Sequence, residues 1–86
     1  MIQTLDAPIS VTLHFDHRLR RVSPVLLSWE GRDYPIVSVG YHHQFYQGKI
    51  LIHVFSVTTK TLFFRLVLNT QTLHWRAEQV SDGEVN

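Results

Sequence analysis

The strongest constraint on the fold is an alternation of apolar and polar residues over residues 49–80, broken where the chain can turn. A period of two places successive side chains on opposite faces, which is typical of a half-buried β-strand. With Thr59-Lys60 and Thr70-Gln71 as two-residue loops, Leu66 lies opposite both His53 and Trp75. Both hairpins then place the same large side chains on one face, so we predict a three-stranded antiparallel meander here.

The residues before this meander also predict strands rather than helices. Residues 9–15 alternate in the same way. Residues 25–29 and 34–41 flank Gly31-Arg32, where a leading glycine suits a type II′ turn that pairs Trp29 with Tyr34. No apolar stripe with a helical period is long enough for a helix, apart from a short turn near residues 18–22. The predicted fold class is all-β, with about six antiparallel strands in a meander that forms a small open barrel or a strongly curved sheet.

Length and composition fit one small globular domain. The chain has 86 residues, no cysteine, 44% hydrophobic residues and 17% charged residues. These values exclude a disulfide framework, a cysteine-ligated zinc site and a disordered chain. We expect a single domain over residues 1–86, with residues 1–7 and 81–86 frayed. The chain shows no signal peptide and no window of ~20 apolar residues, so we expect a cytoplasmic protein without membrane contact.

The second face of the meander carries two arginines that the predicted register brings together. Arg65 lies opposite Arg76 in that register, and like charges in this position repel each other. A bound anion, such as a phosphate held by both guanidinium groups, would relieve the repulsion. The alternative is that Glu78, diagonal to Arg65, neutralises the pair on a solvated surface.

The same face has more apolar surface than a solvated face normally shows. The residues concerned are Ile52, Val54, Phe63 and Val67. Either the first strand or a terminal segment covers them within the monomer, or a second copy of the chain covers them in a symmetric homodimer. They form the predicted protein interface.

Basic and aromatic residues also suggest contact with nucleic acid. The formal net charge is only +1, so local patches must supply any attraction to phosphate. Four arginines could follow a phosphate backbone: Arg18, Arg20, Arg21 and Arg32. Residues 41–48 offer side chains for stacking on bases: Tyr41, His42, His43, Phe45 and Tyr46. The alternative is a solvated basic connection, with Phe45 and Tyr46 closing the end of the barrel.

No sequence pattern predicts catalysis or a cofactor. The chain has no G-x-S-x-G motif, no cysteine nucleophile and no phosphate-binding glycine loop, so we expect no enzyme activity. His42 and His43 point to opposite faces of a strand, and we predict no metal site. His53 falls on the core face, where a neutral imidazole is expected. A small-molecule pocket near His53 and Trp75 is a weaker interpretation, because large side chains can fill the interior.

Two motifs give the chain a family resemblance. Residues 29–36 read WEGRDYPI after Pro24, and FRL at residues 64–66 is followed by LHW at residues 73–75. Over residues 24–80 this resembles a small bacterial β-domain family found beside or appended to Y-family DNA-polymerase-like proteins. Residues 41–48 depart from the family pattern. The resemblance implies a non-catalytic role in nucleic-acid transactions.

We therefore expect a non-enzymatic binding module that contacts single-stranded nucleic acid or a DNA-processing protein. The residues predicted to bind are Arg65, Arg76, Arg32, Tyr41, His43, Phe45 and Tyr46. The alternative is a protein-interaction or homodimerisation domain that uses the apolar face of the meander.

Overall fold

Six antiparallel strands form a ring in the computed structural model, which describes residues 1–83. The strands are β1 (Ile2–Asp16), β2 (Arg21–Trp29), β3 (Arg32–Gln47), β4 (Ile50–Thr59), β5 (Phe63–Asn69) and β6 (His74–Ser81). Each strand pairs with the next one in the chain, and β6 pairs with β1, which closes the ring. The predicted all-β meander is confirmed. Among the described residues there is no helix able to span a membrane.

The two ends of the ring are built differently. We call the end with the β2–β3 and β4–β5 turns the closed end, and the end with the other three connections the open end. At the closed end the rings of Trp29, Tyr34 and Phe64 pack together with centroids 5.4 to 6.4 Å apart. The buried core continues from this cluster through Leu27, Phe55, Val57, Leu66, Ala77 and Val80. Apolar side chains therefore fill the interior of the ring at the closed end.

The predicted strand registers are wrong by two residues. Leu66 lies opposite Phe55 and Ala77, not opposite His53 and Trp75. Trp29 lies opposite Arg32 instead of Tyr34. A shift of two residues leaves side chains on their predicted face, because the side-chain period is two. Beyond the bulge between Arg65 and Leu66 the β5–β6 shift is three, and Val80 lies in the core instead of on the outer face. Up to that bulge, the faces of the predicted meander are right and its pairs are wrong.

Turn chemistry explains the shifted registers at the closed end. The β2–β3 loop is Glu30-Gly31, with φ values of 52° and 76°, and positive φ at both central residues defines a type I′ turn. At the β4–β5 turn, the backbone N–H of Thr59 donates to the carbonyl of Leu62 at 2.8 Å. The N–H of Leu62 donates to the Thr59 hydroxyl at 3.0 Å. Each loop therefore begins one residue away from the predicted position.

At the open end, side-chain acceptors shape two connections. Asn69 accepts hydrogen bonds from the backbone N–H groups of Gln71 and Thr72 at 2.9 and 3.1 Å, which stabilises a longer β5–β6 loop than predicted. Asp16 accepts the N–H groups of Arg18 and Leu19, both at 2.9 Å, so β1 and β2 are joined by a tight turn. Short polar side chains at the first position of a turn commonly accept such hydrogen bonds from the backbone N–H groups that follow.

The first residues of the chain belong to the sheet. Ile2, Gln3 and Thr4 pair with Ser81, Val80 and Gln79 of β6, where the sequence suggested fraying of residues 1–7. The corresponding expectation for residues 84–86 lies outside the described residues.

Candidate binding surfaces at the open end and on the outer face

The open end leads into a cavity of about 650 Å³. Its polar lining is Arg20, Arg21, His42, His53 and Thr70. Its apolar lining is Leu13, Leu19, Val22, Phe55, Leu68 and Trp75. Leu13, Leu19 and Val22 are 42%, 61% and 39% exposed, so apolar surface remains uncovered at the rim. We name this feature the open-end cavity.

The open-end cavity exists because two neighbouring strands separate. β2 pairs with β3 only from Leu26 to Trp29, opposite Arg32 to Pro35. Beyond that point β3 continues its pairing with β4 as far as Gln47 opposite Ile50. The parts of β2 and β3 near the open end therefore diverge. The interior, which is packed at the closed end, widens toward the open end.

Two histidines meet on the wall of this cavity. His42 Nε2 and His53 Nδ1 are 2.8 Å apart, and the His42 ring stacks on Phe55 with a centroid distance of 4.1 Å. Partial burial lowers the pKa of His42 below 6.5, and the nearby His53 and His43 lower it further. His42 is therefore held neutral at pH 7, and the pair shares one N–H as a hydrogen bond.

The net positive charge of the described chain is concentrated at the open end. All six histidines lie in the halves of the strands near it or in its connections. Its cations are Arg18, Arg20, Arg21 and Lys49. Among residues 1–83, the carboxylate nearest to them in the chain is Asp16, which already accepts two backbone hydrogen bonds. The other described carboxylates lie nearer the closed end: Asp6, Glu30, Asp33, Glu78 and Asp82.

A second candidate surface is the outer face of β3, β4 and β5. Tyr41, His43 and Phe45 alternate along β3 on this face, with ring centroids 5.1 and 6.3 Å apart. Tyr41 is 61% exposed and Phe45 is 46% exposed. Tyr41 lies opposite Ser56, which in turn lies opposite Arg65. We call Tyr41, His43 and Phe45 the aromatic column. It lies two strands away from Arg65 on this outer face.

The predicted opposition of Arg65 and Arg76 is wrong. Arg76 lies opposite Val67 on β5, and Arg65 lies opposite Gln79 across a bulge that accommodates Glu78. Arg76 donates from Nε to the Asp6 carboxylate and from its NH2 group to the Asp6 carbonyl. Its charge is therefore neutralised by β1. The expected pair of free guanidinium groups for one anion is absent from the described chain.

Arg65 differs from Arg76 in having a donor left over. Its Nε lies 3.8 Å from Glu78 Oε2, an ion pair too long for a hydrogen bond, so Glu78 pairs with Arg65 alone and not with both arginines as the alternative prediction had it. The Nε atom is buried without a hydrogen-bond partner in the described chain, as is Nδ1 of His43 on the same face. A cavity of about 410 Å³ borders Arg65 together with Gly40, Phe63 and Gln79.

The predicted protein interface is largely covered within the chain. Ile52 is 4% exposed and Val54 is 2% exposed, because Phe45 and His43 flank them on β3. Val67 is half-buried, whereas Phe63 is 47% exposed. The cover comes from neighbouring strands of the sheet rather than from strand one lying across the face. Only Phe63 offers a large apolar side chain to a partner.

The remaining predicted residues lie elsewhere. Tyr46 lies opposite Leu51, on the inner side of the strands, where the β3–β4 hairpin extends past the ring and leaves it 70% exposed. Arg32 lies at the β2–β3 turn of the closed end. Neither lies on the face that carries Tyr41, His43 and Phe45.

Sequence reasoning missed His42 as a partner of His53. The alternation of β3 places His42 on the inner face, but two bulges between Ile36 and Tyr41 hide this phase in the sequence. It also assigned Leu13 to an ordinary strand position and Val22 to the connection after that strand, because a cavity between diverging strands has no local sequence signal. Within residues 1–83, no group of three or more His, Asp or Glu side chains is placed to bind a metal ion.

The fold and these surfaces define a small all-β protein with one packed end and one open, basic end. Comparison with known proteins gives no match among protein-family models, curated proteins or solved structures. The family resemblance seen in the WEGRDYPI, FRL and LHW motifs stays a prediction.

Proposed function

We propose that this chain is a non-enzymatic binding module for single-stranded nucleic acid, with the outer face of β3 to β5 as its binding surface. The observation that supports it is the exposed column of Tyr41, His43 and Phe45 beside Arg65. Every base has a face that can stack on an aromatic ring, and such stacking contributes about 1 to 3 kcal/mol per base.

The charges around this column suggest the path of the strand. The Arg65 side chain is 40% exposed, so its guanidinium can offer its outer N–H groups to a phosphate oxygen. Lys49 lies in the β3–β4 connection, at the same end of the ring as the arginines of the β1–β2 connection. A strand stacked on β3 would therefore run from Arg65 toward the basic open end, and Arg76, already neutralised by Asp6, would contribute little.

The test measures fluorescence anisotropy of a labelled oligothymidine of about 15 nucleotides at low and at physiological salt. We expect affinity to fall as salt rises, because phosphate binding releases counterions. Tyr41→Ala together with Phe45→Ala should weaken binding about 25-fold or more, at a minimum of about 1 kcal/mol for each lost stack. Arg65→Gln should weaken binding and reduce its salt dependence.

The chain supplies matched controls for both changes. Tyr46→Ala removes an exposed aromatic from the same hairpin but from the opposite face, and Arg32→Gln removes an arginine at the closed end. Both should bind like the wild type. Absence of binding at low salt, or an equal loss with Tyr46→Ala, would refute the proposal.

A second candidate, a homodimer, is favoured by the free edge of β3. Beyond Pro35 this edge has no partner strand among the described residues, and Val37 and Val39 there are 69% and 37% exposed. Two copies could pair these edges antiparallel about a two-fold axis. Sedimentation equilibrium would show a dimer that Val39→Pro abolishes, whereas a monomer at high concentration excludes this candidate.

A further inference from the structure

We propose that the open-end cavity binds a small amphipathic anion, with a single acyl or comparable apolar body inside and its anionic group at Arg20 and Arg21. This site is separate from the outer face proposed for nucleic acid. Its size of about 650 Å³ lies in the range of small-molecule sites.

The apolar lining favours a ligand with an apolar body. Trp75, Leu68 and Phe55 form the inner wall, and Leu13, Leu19 and Val22 leave uncovered apolar surface at the rim. Burial of this surface by an acyl chain is favourable, at about 25 cal/mol for each Å² removed from water. The polar groups on the wall are few, since His42 and His53 already bond to each other.

The rim favours a negatively charged head group. Arg20 and Arg21 line the cavity, and neither has an ion-pair partner among residues 1–83. The guanidinium groups of these two consecutive residues present donors that match carboxylate or phosphate oxygens. Asp16 lies opposite Arg21 in the β1–β2 ladder, but its carboxylate accepts two backbone hydrogen bonds of the turn and forms no ion pair with either arginine among the described residues. A neutral ligand of the same shape would leave these charges unused.

Arg20 also has an uncommon backbone conformation. Its φ of 51° lies in the left-handed region, which is unfavourable for residues other than glycine, asparagine and aspartate. The turn residues Glu30 and Leu73 have similar φ values, so the conformation itself belongs to the turn. Asparagine or glycine would adopt it at lower cost, and an arginine here is compatible with a role for its side chain at the rim.

The test uses decanoate, decyl phosphate and decanol below their aggregation limits, with calorimetry and tryptophan fluorescence as readouts; of the two tryptophans, Trp75 lines the cavity and Trp29 lies at the closed end. We expect both anions to bind about ten-fold or more tightly than decanol. Charge-assisted hydrogen bonds contribute about 1.5 kcal/mol or more, which corresponds to that ratio of affinities. The relative affinities of decanoate and decyl phosphate tell which head group the rim prefers.

Arg20→Asn separates a binding role from a structural one. It should raise the melting temperature by relieving the left-handed strain, yet lower the affinity for the preferred anion to that of decanol. Glu30→Asn is the matched control, since it relieves the same strain at the closed end, and it should leave affinity unchanged. Equal binding of decanol and both anions, no binding by any of them, or unchanged anion affinity in Arg20→Asn would overturn the proposal.

Discussion

At the scale of single residues, the turns hold side chains in backbone conformations that they do not favour. Among the described residues, Arg20, Glu30 and Leu73 have φ values of 51°, 52° and 64°. The left-handed region costs such residues about 1 to 2 kcal/mol. Glu30 has this conformation in the type I′ turn that sets the β2–β3 register. Arg20 has it at the rim of the open-end cavity.

Glu30→Asn should stabilise the protein. Asparagine tolerates positive φ, and Asn-Gly is the preferred sequence of a type I′ turn, so we expect the free energy of unfolding to rise by about 0.5 to 1 kcal/mol. Urea denaturation measures this. Lys60→Asn changes an exposed turn residue without positive φ and should have no comparable effect. An equal gain in both variants would contradict the explanation.

The histidine pair predicts how stability depends on pH. Because the pKa of His42 is lowered, the unfolded chain binds more protons than the folded one once the pH falls below about 6.5. The free energy of unfolding should therefore decrease as the pH drops from about 6.5 through the lower pKa of His42. Thermal unfolding across this interval measures the loss.

His42→Phe keeps a ring on Phe55 but cannot be protonated, so its stability should fall less on acidification. His53→Phe removes one cause of the lowered pKa and should give an intermediate loss. A variant without His42 that retains the full wild-type loss would contradict the assignment.

At the scale of elements, one strand joins both regions of the interior. On β5, Leu66 is fully buried in the core, whereas Leu68, two residues further on the same face, is half-buried and lines the open-end cavity. β4 is buried on both faces in its central part, since Val54 and Phe55 are only 2% and 3% exposed. Packing is therefore concentrated in the centre and at the closed end.

Leucine truncations on β5 should differ in their cost. Leu66→Ala should lower the free energy of unfolding by about 2 to 5 kcal/mol, because it leaves a cavity in packed surroundings. Leu68→Ala should cost less than about 2 kcal/mol, because its side chain already borders open space. Chemical denaturation of both variants checks this. Equal losses would mean that the cavity is packed in solution.

Alternation predicted the faces of the strands but not their registers, for a physical reason. Moving Leu66 from opposite His53 to opposite Phe55 changes no face, so hydrophobic patterning cannot distinguish the two registers. Local hydrogen bonds at Thr59 and Asn69 and the positive φ of Glu30 decide between them.

The candidate sites were predicted less well. Tyr41, His43 and Phe45 lie on one face of β3, although residues 41–48 were expected to form a strand end and a loop because they show no clean alternation. Arg65 and Arg76 were wrongly predicted to lie opposite each other, because their positions depend on the register and on the bulge at Glu78. The pairing of His42 with His53 depends on bulges in β3, which the sequence does not mark.

At the scale of the whole molecule, the ring is closed by residues far apart in the chain. Ile2 pairs with Ser81, and Arg76 bonds to Asp6 across the same seam. The other neighbouring strands are joined by short connections. Closing a long loop has a large entropic cost before any seam contact forms, so the seam should form after the β3–β5 hairpins.

Folding kinetics should separate the seam from the hairpins. Ile9→Ala, which weakens the contact of β1 with Trp75, should mainly speed unfolding, whereas Val57→Ala in β4 should mainly slow folding. Stopped-flow chevron plots measure both rates. A slowing of folding by Ile9→Ala as large as that by Val57→Ala would show that the seam forms early.

The seam has a consequence during protein synthesis. Until β6 has left the ribosome, β1 and β5 each expose an edge with no neighbour, and both edges belong to strands with apolar inner faces. Unpaired edges of this kind invite pairing between nascent chains. The vulnerable interval lasts until β6 has emerged, and translation at about 5 to 20 residues per second sets its length.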